Sequence, residues 1–317
     1  MTDKFTHIGK VISYIRKKQN MSQAELADGI CSREYIGQIE KGQKFPTTYM
    51  VNLFCDKLDV NIYDEYALLL QHGGFAQHQM IMTINDHIEP EKGHLLLDLV
   101  TQYENSGVAI EGELFQTICY AKALYYGNID RQIEKALEYC LEGIHYHYPN
   151  FDFSTSYEVY RLSNIEIVLL ECLFNQYYRI GDITFCILGQ KKLHAYLSQK
   201  LLTTDYIVHK KLHFELTSLI LLSHNIFICG QNHIPFQELL DLIENSISLV
   251  KKYRYSENLS ELLFDRTYLH YKLGNTDAYE ASLSEAISIS NFFVGEEETN
   301  KLIDWLNKKI GAVKKLH

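Results

Sequence analysis

Four times along the chain a segment ends in glycine followed closely by Asn or Asp, and a second amphipathic segment then begins. The junctions are Tyr125-Tyr126-Gly127-Asn128, Tyr178-Arg179-Ile180-Gly181-Asp182, Cys229-Gly230-Gln231-Asn232 and Tyr271-Lys272-Leu273-Gly274-Asn275. The glycines stand 54, 49 and 44 residues apart. Ala136 to His147, Phe185 to Leu201, Phe236 to Tyr253 and Ala278 to Phe292 follow them with apolar residues at helical spacing. Helix, glycine turn and helix at a loose period is the pattern of an α-solenoid, whose pairs bury their apolar faces against their neighbours. The last unit, with Tyr271, Gly274-Asn275, Ala278, Leu283 and Ala286-Ile287, looks like a tetratricopeptide repeat (TPR) with longer helices or wider turns. Glu296 to Lys315, with Leu302, Trp305, Leu306 and Ile310, reads as a charged last helix that caps the stack or meets a second copy.

The first residues follow a different plan. Ser22 N-caps a short helix, with Glu25 completing a capping box. Leu26 and Ala27 face a small core, and Gly29 permits a turn. Ser32 caps a second helix in which Ile36 and Ile39 face inward, leaving Arg33, Glu34, Tyr35 and Gln38 outside. Lys41-Gly42 closes it. Two such helices form a helix-turn-helix, which sets the outer face of its second helix in the DNA major groove. Ile8 to Lys18 precedes them as a helix with an inner stripe of Ile8, Val11, Ile12 and Ile15; Thr47 to Leu58 and Asn61 to Leu70 complete the bundle.

Ile8-Gly9, Ile15-Arg16, Ser22-Gln23, Glu25-Leu26-Ala27, Ile39-Glu40, Lys41-Gly42 and Pro46 resemble the lambda-repressor-like (XRE) helix-turn-helix. Ala27-Asp28-Gly29-Ile30-Cys31-Ser32, the chain length and the helical remainder resemble the Rgg, PlcR and PrgX group of peptide-pheromone regulators. The resemblance implies a DNA operator, a short imported signalling peptide and a homodimer as partners, and it places Gln23 on a phosphate. The expected fold class is all-α, with the helix-turn-helix bundle followed by a TPR-like α-solenoid. The expected domains are a head over 1–72, a linker over 73–90 with a short helix allowed within Ala76–Ile84, and a body over 91–317.

Charge agrees with that division. The net charge is −10, yet residues 1–70 are neutral, with nine Lys/Arg and nine Asp/Glu. Within 1–44 there are eight basic and five acidic residues, so the acidic body is not expected to lie along a duplex. Seven dispersed cysteines without a Cys-x-x-Cys pair read as cytosolic thiols. The start MTDKFTHIGK has no apolar signal core, and no run of about 18 apolar residues predicts a membrane span. A cytoplasmic protein is expected.

The candidate DNA contacts are Arg16, Lys17 and Lys18, which end the first helix and touch phosphate or complement its dipole, and Gln23, Ser32, Arg33, Tyr35 and Gln38. Arg33 suits guanine O6/N7 and Gln38 suits adenine N6/N7. Glu40 is expected to pair locally, since phosphate repels it.

No catalytic constellation stands out. His145 and His147 point apart on a helix, and there is no phosphate loop, nucleophile elbow or His-Glu-x-x-His. No enzyme activity, metal or cofactor is expected. A concave repeat surface instead holds an extended peptide, with Asn gripping the main chain and Arg the terminal carboxylate. Reading Tyr157 to Ile180 as one inner helix places Tyr157, Arg161 and Asn164 on one face; His213, Asn225 and Arg266 are further candidates. Leu219, Leu222 and Ile226 read as core. The alternative is a body that docks another protein.

Overall fold

A computed structural model describes residues 7–63, 66–67, 75–88, 92–203, 212–255 and 258–314, which hold helices, turns and loops and no strand. The packing divides the chain into two compact units, Met1–Tyr146 and His147–His317.

The first unit opens with α1 (Ile8–Lys18), α2 (Gln23–Ala27), α3 (Arg33–Glu40) and α4 (Thr48–Leu58). The local signals are those of the sequence. Ser22 Oγ accepts from Glu25 N while the Glu25 carboxylate accepts from Ser22 N, and Ser32 and Thr47 cap α3 and α4. Val11, Ile12, Ile15, Leu26, Ile36, Ile39, Val51, Phe54, Leu58 and Ile62 form one buried core. Each fully buried Ile or Leu contributes about 1.5–3 kcal/mol, so four short helices hold together without a long one. The fifth helix expected over 61–70 falls largely outside the described residues.

The segment expected as a linker is instead mostly helix. α5 (Phe75–Asp86) extends the short helix allowed there. Ile81 and Ile84 sink into a second core with Leu96, Val100, Leu114, Ile118 and Ala121 from α6 (Leu96–Glu104) and α7 (Gly112–Leu124). Two buried isoleucines make this segment part of a packed layer rather than a spacer. α8 (Ile133–His145) pairs with α7.

The second unit is a run of helix pairs: α9 (Asn164–Arg179) with α10 (Ile183–Thr203), α11 (His213–Gly230) with α12 (Phe236–Lys252), and α13 (Leu259–Lys272) with α14 (Thr276–Phe293). The first helices of successive pairs, α9, α11 and α13, pack on one another, as the solenoid pattern requires. α15 (Glu296–Lys314) closes the row against α13 and α14, with Leu306 buried. The marker glycines do different work. Gly181 and Gly274 take φ of 88° and 73°, the left-handed turn that ends a helix. Gly127 instead lies buried in a wide π-turn over Tyr125–Ile129, and Gly230 is the last helical residue of α11.

Candidate nucleic-acid interface and ligand cleft

In the head, α3 presents Arg33 at its first turn, exposed, with Gln38 half-buried one and a half turns on. Tyr35 is half-buried and packs on the head core, so only part of its ring meets solvent. Ser32 is exposed, and its hydroxyl accepts from Tyr35 N at 3.1 Å. Lys17 and Lys18 are exposed at the end of α1.

Arg16 departs from expectation. It is 7% exposed, and its guanidinium forks onto Glu40 with Nε to Oε1 at 2.7 Å and Nη2 to Oε2 at 3.1 Å. Nη1 also donates to the Met21 carbonyl. Position 16 lies one turn beyond Ile12, on the border of the apolar stripe, so the side chain turns inward and is unavailable to phosphate. Gln23 Nε2 donates to Glu40 Oε2 at 2.8 Å, so the same carboxylate gathers α1, α2 and α3. Burial pushes the Glu40 carboxyl up, but hydrogen bonds from Arg16, Gln23 and Ser13 together with the Arg16 charge bring it below its usual range. The expectation that Glu40 pairs locally is met.

Sequence reasoning passed over the loop after α3. The Gln38 carbonyl accepts from Gln43 N at 2.9 Å and Lys44 N at 3.3 Å, which folds this loop back against α3. Beyond it Phe45 is 74% and Tyr49 71% exposed. An apolar residue directly before Pro46 was the available signal.

The residues expected to hold a peptide do not share one face. Helix α9 begins only at Asn164, because the Glu166 carboxylate accepts from Ser163 N at 2.7 Å and starts it there. Tyr157 sits in a separate 3₁₀ turn and is 1% exposed, against Phe151. Arg161 is exposed in the intervening loop, its N–H donating to the Tyr148 hydroxyl; Asn164 is exposed at the α9 start. His213 is exposed beside Thr217 and Tyr255, and Asn225 is half-buried. Arg266 is 7% exposed, bound to Ser282 at 3.1 Å and Glu285 at 2.7 Å. It fastens α13 to α14 and is withdrawn as a ligand contact.

Its neighbour Asp265 faces the other way, into a cleft of about 310 Å³ between α11, α13 and α15. His224, Glu261, Phe264, Lys301 and Trp305 also line it. Asp265 is 1% exposed and bonds His224 Nδ1 at 2.7 Å. Burial pushes its carboxyl up to about 6; His224 opposes this rise and Glu261 adds to it. Burial lowers the His224 pKa, but Asp265 and Glu261 overcome this and leave it raised. Lys301 Nζ binds Glu298 at 2.6 Å. The cleft is thus an aromatic slot with a fixed imidazole and an acidic margin, built from α11 and α13, the first helices of two successive pairs, and the closing helix α15. Among the described residues no group of His, Cys, Asp or Glu has the geometry of a metal site.

Residues 12–64 match the helix-turn-helix family. The head is an XRE-type helix-turn-helix domain. The chain is similar in fold to Bacillus thuringiensis PlcR, solved with the peptide PapR7 and DNA (TM-score 0.55, 13% identity, covering 93% of this chain and 98% of PlcR). It is likewise similar to the Streptococcus dysgalactiae SHP pheromone receptor Rgg2 (TM-score 0.51, 16% identity, covering 96% and 100%). At these identities the likeness is one of fold. No curated protein matches the chain in sequence. Among the described residues no helix is long and apolar enough to cross a membrane.

Proposed function

We propose that this protein is a cytoplasmic transcription regulator whose helix-turn-helix head binds a DNA operator and whose helical-repeat body receives a short signalling peptide. The observation that carries the reading is the outer face of α3. Arg33 and Gln38 stand outside a head that the Arg16–Glu40 pair holds in shape. Arg33 would hold a guanine edge and Gln38 an adenine edge; Lys17, Lys18, Gln23, Ser32 and Tyr35 would set the register on phosphates. Functionally the head runs to about residue 72 and the body from 91, with α5 between as a packed coupling piece. α5 shares a cleft with Tyr14 and Lys18 of α1, which supports a route by which changes in the body reach the DNA contacts.

One head reads few base pairs, so a homodimer on two half-sites about one helical turn apart is proposed. The exposed run of Phe292 (82%), Phe293 (50%) and Val294 (42%) at the end of α14 supplies an apolar surface for the second copy. Peptide binding would change operator affinity through a coupling of about 1–3 kcal/mol. Such a peptide would lie on α11, α13 and α15, where the cleft of His224 and Trp305 opens. That likeness of fold to PlcR, which was solved with both peptide and DNA, supports this reading.

Selection of binding sites from a random duplex pool by the full chain tests the first half. Recovery of a two-half-site sequence is expected; recovery of no preferred sequence would overturn it. Repeating the selected duplex titration with a heptapeptide library tests the second half. Operator affinity unaltered by every pool would leave a protein-docking body as the better reading.

A further inference from the structure

The cleft between α11, α13 and α15 carries an imbalance that names its ligand. Asp265 is matched by His224, and Glu298 by Lys301. Glu261, half-buried in the first turn of α13, makes no ion pair among the described residues. Its charge is felt at both His224 and Asp265. A half-buried carboxylate beside a buried one is relieved most by a cation brought from outside. The walls suit the rest of such a group. Half-buried Trp305 offers ring surface, with the buried Phe264 in the same wall, and Trp305 packs with Phe227 and Tyr268 at 6.3 Å between centroids. Lys309 Nζ stands 6.0 Å from the Trp305 centroid, at the outer edge of cation–π range, and its charge acts on Asp265, so the uncompensated carboxylate is that of Glu261.

We infer that the cleft is the specificity pocket of the proposed peptide site, and that it takes an alkyl-borne cation. Glu261 receives the charge, and the Trp305 ring receives the stem. The cation is a Lys or Arg side chain or the free amino terminus of the peptide. The inference rests on the peptide-receptor reading and goes beyond it in fixing the chemistry of one ligand position.

Trp305 is the single tryptophan of the chain, so its fluorescence reports occupancy of this cleft directly. The full chain is titrated with a positional-scanning heptapeptide library in two forms, with a free and with an acetylated amino terminus. If a side chain is the cation, pools with Lys or Arg at one position change the Trp305 emission in both forms. If the terminus is the cation, only the free form does so. In either case Glu261→Gln weakens binding of the cationic peptides roughly tenfold and leaves that of neutral pools unaltered. Binding without any cation preference, or a preference that survives Glu261→Gln in a protein of unchanged circular dichroism, overturns the pocket assignment and leaves the peptide reading standing. If no pool binds by fluorescence or by an independent calorimetric titration, the peptide reading fails and this inference with it.

Discussion

Arg16 and Lys17 are neighbours in sequence with opposite fates. The first is buried on Glu40, and the second stands in solvent. Arg16→Ala leaves Glu40 desolvated without its main partner, so it should lower head stability by about 3 kcal/mol in thermal melts. Lys17→Ala should change stability by less than about 0.5 kcal/mol and instead flatten the salt dependence of DNA binding. In the body, His194 Nε2 lies 2.8 Å from Ser246 Oγ, and burial lowers the imidazole pKa from 6.5 to about 4. The unfolded chain therefore takes up this proton first. The contribution is complete above pH 6.5 and is lost as pH falls toward 4. About 3 kcal/mol is at stake, and His194→Asn should remove that part of the slope in acid titrations of unfolding. Sequence spacing exposed the apolar stripe of α1 but not that position 16 borders it. The partner, Glu40, was legible as locally paired without its counterpart being named.

At the scale of elements, the head was legible because its signals are local: a capping box at Ser22, a cap at Ser32, and isoleucines three residues apart. Helix α9 was misjudged at its start although the same kind of signal, Ser163 followed by Glu166, was present. The apolar residues before it continued the spacing and hid the boundary. Asp265 and Arg266 show the other limit. Adjacent residues on a helix point about 100° apart, so one of the two lines a cleft while the other clamps two helices together. The role proposed for α3 has a direct test. Arg33→Ala or Gln38→Ala should cost about 1–3 kcal/mol of specific binding in anisotropy titrations while leaving melts unchanged. Gly9 supplies a packing test. A Cβ there would overlap the Ile39 backbone carbonyl, so Gly9→Ala should force α1 off α3 and destabilise the head by about 1–3 kcal/mol.

At the scale of the molecule, the succession of helix pairs followed from the recurring glycine junctions, whereas the packed role of α5 did not. A glycine pair and a proline around a weakly amphipathic stretch look like a spacer when the helices that bury Ile81 and Ile84 are not in view. Association belongs to this scale too. If the proposed dimer forms through the end of α14, a double change Phe292→Glu and Phe293→Glu should shift the sedimentation coefficient from dimer to monomer and weaken binding to a two-half-site operator far more than to one half-site. An unchanged assembly would place the second copy elsewhere.

The Arg16–Glu40 clasp has one more consequence. It draws on atoms of the inner side of the head, whereas Arg33 and Gln38 lie outside it, so the side chains proposed to choose the bases are excused from keeping the bundle folded. Such separation lets a lineage exchange its target sequence by single substitutions on one helix without first losing the domain. Operator divergence among relatives should therefore track positions 33 and 38 and leave the clasp untouched.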